Sequence, residues 1–235
     1  MRLVRSSALG LLLALAGGAG AQELPIPAPG TDGWQALAFP KIERQTRYVS
    51  ASEDGAALLR AESECSASGL LYPLRGVELA RTPILRWRWR VDEALPPADE
   101  RSQDGDDFAA RVYVAFAFEP ERAGLLERAS RRVAAAVYGE EMPGTSLSYV
   151  WVSREPAGAR WPNPFTASAQ MIAAESGPAG SWRRAEADLL ADYERSFGHA
   201  APAPLFLALM TDSDNRCARA RASYADFRLA PRTGP

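Results

Sequence analysis

Two stretches of strict alternation limit what this chain can fold into. In Pro83–Val91 (PILRWRWRV), Leu85, Trp87, Trp89 and Val91 fall on one side and Arg86, Arg88 and Arg90 on the other. In Phe108–Phe118 (FAARVYVAFAF), Phe108, Ala110, Val112, Val114, Phe116 and Phe118 oppose Ala109, Arg111, Tyr113, Ala115 and Ala117. Period two is the signature of a strand, so each run predicts a strand with one apolar side for a core and one polar side facing away. If the two ribbons lie side by side, their arginines collect on a single open face.

The rest of the chain supplies weaker strands at short intervals. They are expected at Gln35–Phe39, Thr46–Ser50, Ala57–Ser66, Leu70–Leu74, Ser146–Arg154, Ser168–Ser176, Leu205–Asp212 and Ala222–Ala230. Ala57–Ser66, with Arg60, Glu62 and Glu64 on one side, reads as half-exposed and near a sheet edge. Two helices are expected. Pro120–Tyr138 carries Leu126, Ala129, Val133 and Val137 at helical spacing before Gly139, and Leu189–Phe197 follows Asp188 as its cap and ends at Gly198. Many strands, two helices and no βαβ rhythm predict an all-β fold, an antiparallel β-sandwich of jelly-roll type. One domain spans 34–230, after a Pro-rich lead at 22–33, expected to be extended and mobile, and before a short tail at 231–235.

Residues 1–21 have the form of a secretory signal. Arg2 and Arg5 precede the apolar run Leu9–Ala16, and Ala19-Gly20-Ala21 offers a cleavage site near Ala21. The expectation is a periplasmic or secreted protein without a lipid anchor or transmembrane segment. The chain has 27 basic against 29 acidic residues, a net charge of −2, and loss of Arg2 and Arg5 makes it more acidic. An acidic chain without a basic block is a poor match for nucleic acid. Cys65 and Cys217 are its two cysteines. In an oxidising compartment they either pair or stay as two buried thiols, and the sequence leaves both open.

The strings WRWRV, DDFAARVYVAF, YVW, PNPFT, ESG, ADYERSFG and LMTDSDN occur in that order between Phe39 and Leu229. Together they resemble the bacterial domain of unknown function family 3047. That resemblance implies no assigned activity. The expected sandwich is similar in architecture to galactose-binding-like and related glycan-binding modules, which is fold analogy alone.

Chemistry must come from few groups. The single histidine, His199, rules out a three-histidine zinc site and reads as a residue near a helix C-terminus. Carboxylates remain: Asp104, Asp106 and Asp107 before one strand, Asp212 and Asp214 after another, and Glu175 near a third strand's end. Asp107, Asp212, Asp214 and Asn215 are candidate ligands for a structural Ca²⁺, since clustered oxygens suit a hard cation. A common face bearing Arg88, Arg111, Tyr113, Trp151, Asn163, Glu175 and Asp212 would grip a glycan or another polar ligand by ring stacking and charge-assisted hydrogen bonds. The alternatives are a glycan-cleaving hydrolase or lyase pairing Glu175 with Asp107 or Asp212, and a structural envelope partner. Oligomeric state leaves no mark in the sequence.

Overall fold

A computed structural model describes residues 22–125 and 143–233. The signal segment and most of the helix expected over Pro120–Tyr138 lie outside the described residues. The strands are β1 (Leu24–Pro25), β2 (Gln35–Leu37), β3 (Arg47–Glu53), β4 (Ala56–Glu64), β5 (Ala67–Pro73), β6 (Ile84–Glu93), β7 (Arg111–Phe116), β8 (Thr145–Trp151), β9 (Arg160–Asn163), β10 (Thr166–Glu175), β11 (Arg183–Asp188), β12 (Pro204–Asp212) and β13 (Arg219–Ala230), with helix α1 (Leu189–Phe197) between β11 and β12. They form two sheets. One runs β11-β6-β13-β4-β3, with β1 against the end of β13. The other runs β2-β5-β12-β7-β8-β10-β9.

The sheets pack face to face as a sandwich, and aromatic rings join them. Trp87 and Trp89 on β6 meet Tyr149 and Trp151 on β8 across the interface, with ring centroids 5.6 and 5.8 Å apart. Leu59, Val91, Tyr224 and Leu229 from the first sheet and Val112, Val114, Leu147, Leu207 and Leu209 from the second fill the same buried core. Each indole or phenol side chain here removes a large apolar area from water, so these rings dominate the adhesion between sheets. Helix α1 forms over the expected residues. Asp188 caps it by accepting from the Ala191 N–H at 3.0 Å, and Gly198 ends it in the left-handed conformation. Its Tyr193 packs against Phe116 at 4.7 Å.

Several expectations change. The two alternating ribbons are not side by side: β6 and β7 lie in opposite sheets with their apolar sides facing one another, so their polar sides point to opposite exteriors. Arg86, Arg88 and Arg90 form an ion ladder on the outside of the first sheet. Arg86 pairs with Glu186 at 2.7 Å and Glu23 at 2.9 Å, Arg88 pairs with Asp226, and Arg90 pairs with Glu53 at 2.9 Å. Trp182 lies beneath Arg88 and Arg90. Hydrogen bonds from Arg90 and the Trp182 indole hold the Glu53 carboxyl down at about 2.

The sheets are not purely antiparallel either. β9 takes the edge position and β10 folds back between it and β8, so β10 runs parallel to β8. Strand β4 does lie near a sheet edge and half-exposed, between β13 and the edge strand β3. The Pro-rich lead is docked rather than free: Leu24–Pro25 pair with β13, and the buried Ile26 donates its N–H to Phe227 O at 3.0 Å. Phe108 leaves the main core because the chain bends at 109–110, ahead of β7, and the alternation does not extend back through that bend. It joins a smaller cluster with Val150, Val152, Trp161 and Met171.

Cys65 and Cys217 are joined in a disulfide across 152 residues of sequence. It ties the end of β4 to the β12–β13 loop. In the denatured, unreduced protein no thiol is expected to titrate, and reduction is expected to lower the unfolding free energy by about 2–5 kcal/mol. Two titratable thiols, or equal urea midpoints with and without reductant, would contradict the bridge.

Candidate functional site

The outer face of the second sheet carries a cleft of about 650 Å³. Strand register builds its floor. Tyr113 on β7 is flanked by Ala208 on β12 and Ser148 on β8, and Ser148 by Met171 on β10. One step along, Arg111 is flanked by Met210 and Val150. The small residues Ser146, Ser148 and Ala169 leave space above the sheet, and loops raise walls round it. Phe39, Lys41 and Ile42 come from the β2–β3 loop, Asn163 from the end of β9, Phe165 from the β9–β10 turn, and Asp214 and Asn215 from the β12–β13 loop.

The closed end is a buried charge network. Arg111 Nη2 donates to Asp212 Oδ2 and to the Asp106 carbonyl, both at 2.9 Å, and its guanidinium lies over the Phe108 ring. Asn163 Nδ2 donates to Asp106 Oδ2 at 2.9 Å. Behind this, Tyr224 reaches from the opposite sheet, donating to Met210 O at 2.6 Å and accepting from the Arg111 N–H at 3.3 Å. Thr211 donates to Ala109 O at 2.8 Å. These bonds lock the start of β7 to the end of β12 and so fix Arg111 opposite Asp212.

The charges are unevenly matched. Asp212 is only 2% exposed, and burial pushes its carboxyl well above the usual range; Arg111 pulls it back, while Asp106, Asp107 and Asp214 add to the rise. Burial also raises Asp107, against the opposing backbone N–H groups of Asn215 and Arg216 at 3.1 and 3.0 Å. Burial alone would lower Arg111, yet Asp212 and Asp106 hold it above its ordinary value. Asp106 Oδ1, Asp212 Oδ1 and Arg111 Nε have no hydrogen-bond partner among the described residues. Burial raises the Tyr113 hydroxyl as well.

Of the residues expected to share a face, Arg111, Tyr113, Asn163 and Asp212 do line this cleft. Arg88 does not, because its strand belongs to the other sheet. Trp151 does not, because on β8 the inward parity is Leu147, Tyr149 and Trp151; its indole donates to Gly177 O at 2.9 Å inside the sandwich. Glu175 does not, because a bulge after Ala173 turns it away. It accepts from Ser176 N and Gly177 N at 2.9 and 2.8 Å and sits 3.9 Å from Arg183. Glu175 therefore does not meet Asp212 across the cleft. Of the metal candidates, Asp107, Asp212 and Asp214 converge. Asn215 serves the group through its backbone, its side-chain amide donating to Gln103 O at 3.0 Å. His199 packs beside Tyr193 after α1 and lies outside the cleft.

Phe39, Lys41, Ile42 and Phe165 are cleft residues that sequence patterning missed. They sit in loops, where no period marks them. Lys41, the sole lysine, and the ring between Pro164 and Thr166 were the available signals.

A model of the family described as "Protein of unknown function (DUF3047)" matches residues 32–228. The chain belongs to the DUF3047 family. No curated protein matches it. Among solved structures, the family 30 carbohydrate-binding module of the cellulosomal cellulase Cel9D-Cel44B of Clostridium thermocellum is similar at 12% identity. That alignment covers 91% of the DUF3047 chain and 99% of the module, with a TM-score of 0.46. The family 11 module of the cellulase Lic26A-Cel5E of the same organism is similar at 9% identity, covering 88% and 92% with a TM-score of 0.42. The sandwich assignment for this DUF3047 chain rests on its own strand pairing.

Removing the cation of the buried network should be costly. Arg111→Met strands Asp212 and Asp106 and is expected to lower stability by about 3–5 kcal/mol, read as a urea midpoint shift at constant m. A loss below about 1 kcal/mol would show that Arg111 is not the counter-charge.

Proposed function

We propose that this chain is an exported binding protein whose cleft holds a glycan or a similar polar, ring-shaped ligand. The observation that carries the reading is the pairing of rings with unspent polar groups in one cleft. Phe165 stands 58% exposed at the rim with Phe39 on the wall nearby. Below them, Tyr113, Ser146 and the half-buried Asp214 line the same cleft. Sugars present an apolar ring face and a hydroxyl edge, which such a mixed surface satisfies together. The volume lies in the range of ordinary small-ligand sites.

The disulfide supports an oxidising compartment and hence export. Repeated crossing of the chain between sheets, from β10 to β11, β12 and β13, supports a jelly-roll-like winding. A purely binding role suits a site whose carboxylates Asp106 and Asp212 are tied to Arg111 rather than free to exchange protons with a substrate.

The test is a glycan array on the mature protein, followed by calorimetry on each hit. Phe165→Ala and Tyr113→Phe are each expected to weaken binding by about tenfold, with unchanged folding. No binding to any neutral or acidic glycan, or binding indifferent to both substitutions, would overturn the assignment.

A further inference from the structure

We propose that Asp107, Asp212 and Asp214 bind a Ca²⁺ ion at the closed end of the cleft. The three carboxylates come from separate places in the fold: the bend before β7, the end of β12 and the loop after it. Each brings one oxygen to within 4.8 Å of the others. Ca²⁺ takes oxygen ligands at about 2.3–2.6 Å in a flexible geometry, and carboxylates gathered this closely offer it three of them.

A second observation concerns the Asp212 carboxylate itself. Asp212 Oδ1 is buried and has no hydrogen-bond partner, its other oxygen being taken by Arg111. An anionic oxygen shut away from water without a partner is unfavourable unless something positive meets it. Arg111 is one charge against four, since Asp106 lies 3.6 Å from the same guanidinium nitrogen and both Asp107 and Asp214 act on Asp212. Asp214 has no ion pair or hydrogen bond of its own among the described residues. A divalent cation would supply the missing charge.

The frame is already rigid. The N–H groups of Asn215 and Arg216 orient the Asp107 carboxylate and use two of its roughly four acceptor positions. The disulfide at Cys217 anchors the end of the loop that carries Asp214. Little ordering is left for the ion to impose.

The test uses the mature, oxidised protein stripped with a chelator and titrated with CaCl₂ alone. One-site heat by calorimetry is expected, with a melting temperature raised by about 5–10 °C at a hundredfold excess over Kd. Asp214→Asn, at a half-buried position without partners to lose, is expected to fold and to weaken Ca²⁺ binding at least tenfold; Asp107→Asn should do the same. Absence of heat together with an unmoved melting temperature up to millimolar Ca²⁺ would overturn the proposal. Ca²⁺ binding equal in wild type and Asp214→Asn would place the ion elsewhere and equally overturn it. Mg²⁺ binding as tightly as Ca²⁺ would refute the choice of ion.

Discussion

The contact on which the structure depends is the ring-to-ring seam between β6 and β8. Trp87 and Trp89 bring two indoles inward at neighbouring positions of one side, and Tyr149 and Trp151 answer them from the other sheet. Because side chains alternate, pulling these rings inward commits Arg86, Arg88 and Arg90 to one exterior and Ser146, Ser148 and Val150 to the other. The polarity of both outer surfaces follows from that choice. On the first exterior the arginines find carboxylates and Trp182 and spend themselves in a ladder. The second exterior is left with small residues, a tyrosine and a cleft.

The cleft in turn depends on a buried arginine. Arg111 occupies the row nearest the bend at 109–110, where Asp106, Asp107, Asp212 and Asp214 crowd together. A guanidinium can serve several acceptors at once, and here it holds Asp212 and the Asp106 carbonyl while resting on Phe108. Tyr224 and Thr211 fix the backbone beneath. The proposed ligand cleft and the proposed ion site thus share one polar end, and the loops of Phe39 and Phe165 wall the cleft.

Local structure was largely legible from the residues. The alternation of Leu85, Trp87, Trp89 and Val91 located β6, and Asp188 with Gly198 bracketed α1. The apolar run before Asp212 located β12. What alternation cannot express is which sheet a strand joins: two ribbons side by side and two ribbons back to back bury the same residues. That ambiguity misplaced Arg88. For Trp151 a usable clue lay in Ser146 and Ser148, whose small polar side chains belong on the outside and force the rings inward. Phe108 was misread because a bend is invisible to a periodicity argument. Arg111 and Tyr113 were legible from alternation, and Asn163 and Asp212 from the Pro-rich and acidic turns they adjoin, whereas Lys41 and Phe39 depend on how a loop folds over a distant strand.

The back-to-back placement of β6 and β7 is the claim from which the cleft, its isolation from the arginine ladder and the ligand reading all descend. Nitroxide labels at Arg88→Cys and Tyr113→Cys, with the native disulfide intact, measure it directly by pulsed electron resonance. Outward positions on sheets about 10 Å apart should give a label separation above roughly 20 Å. A separation under about 12 Å, as on one face of adjoining strands, would contradict it.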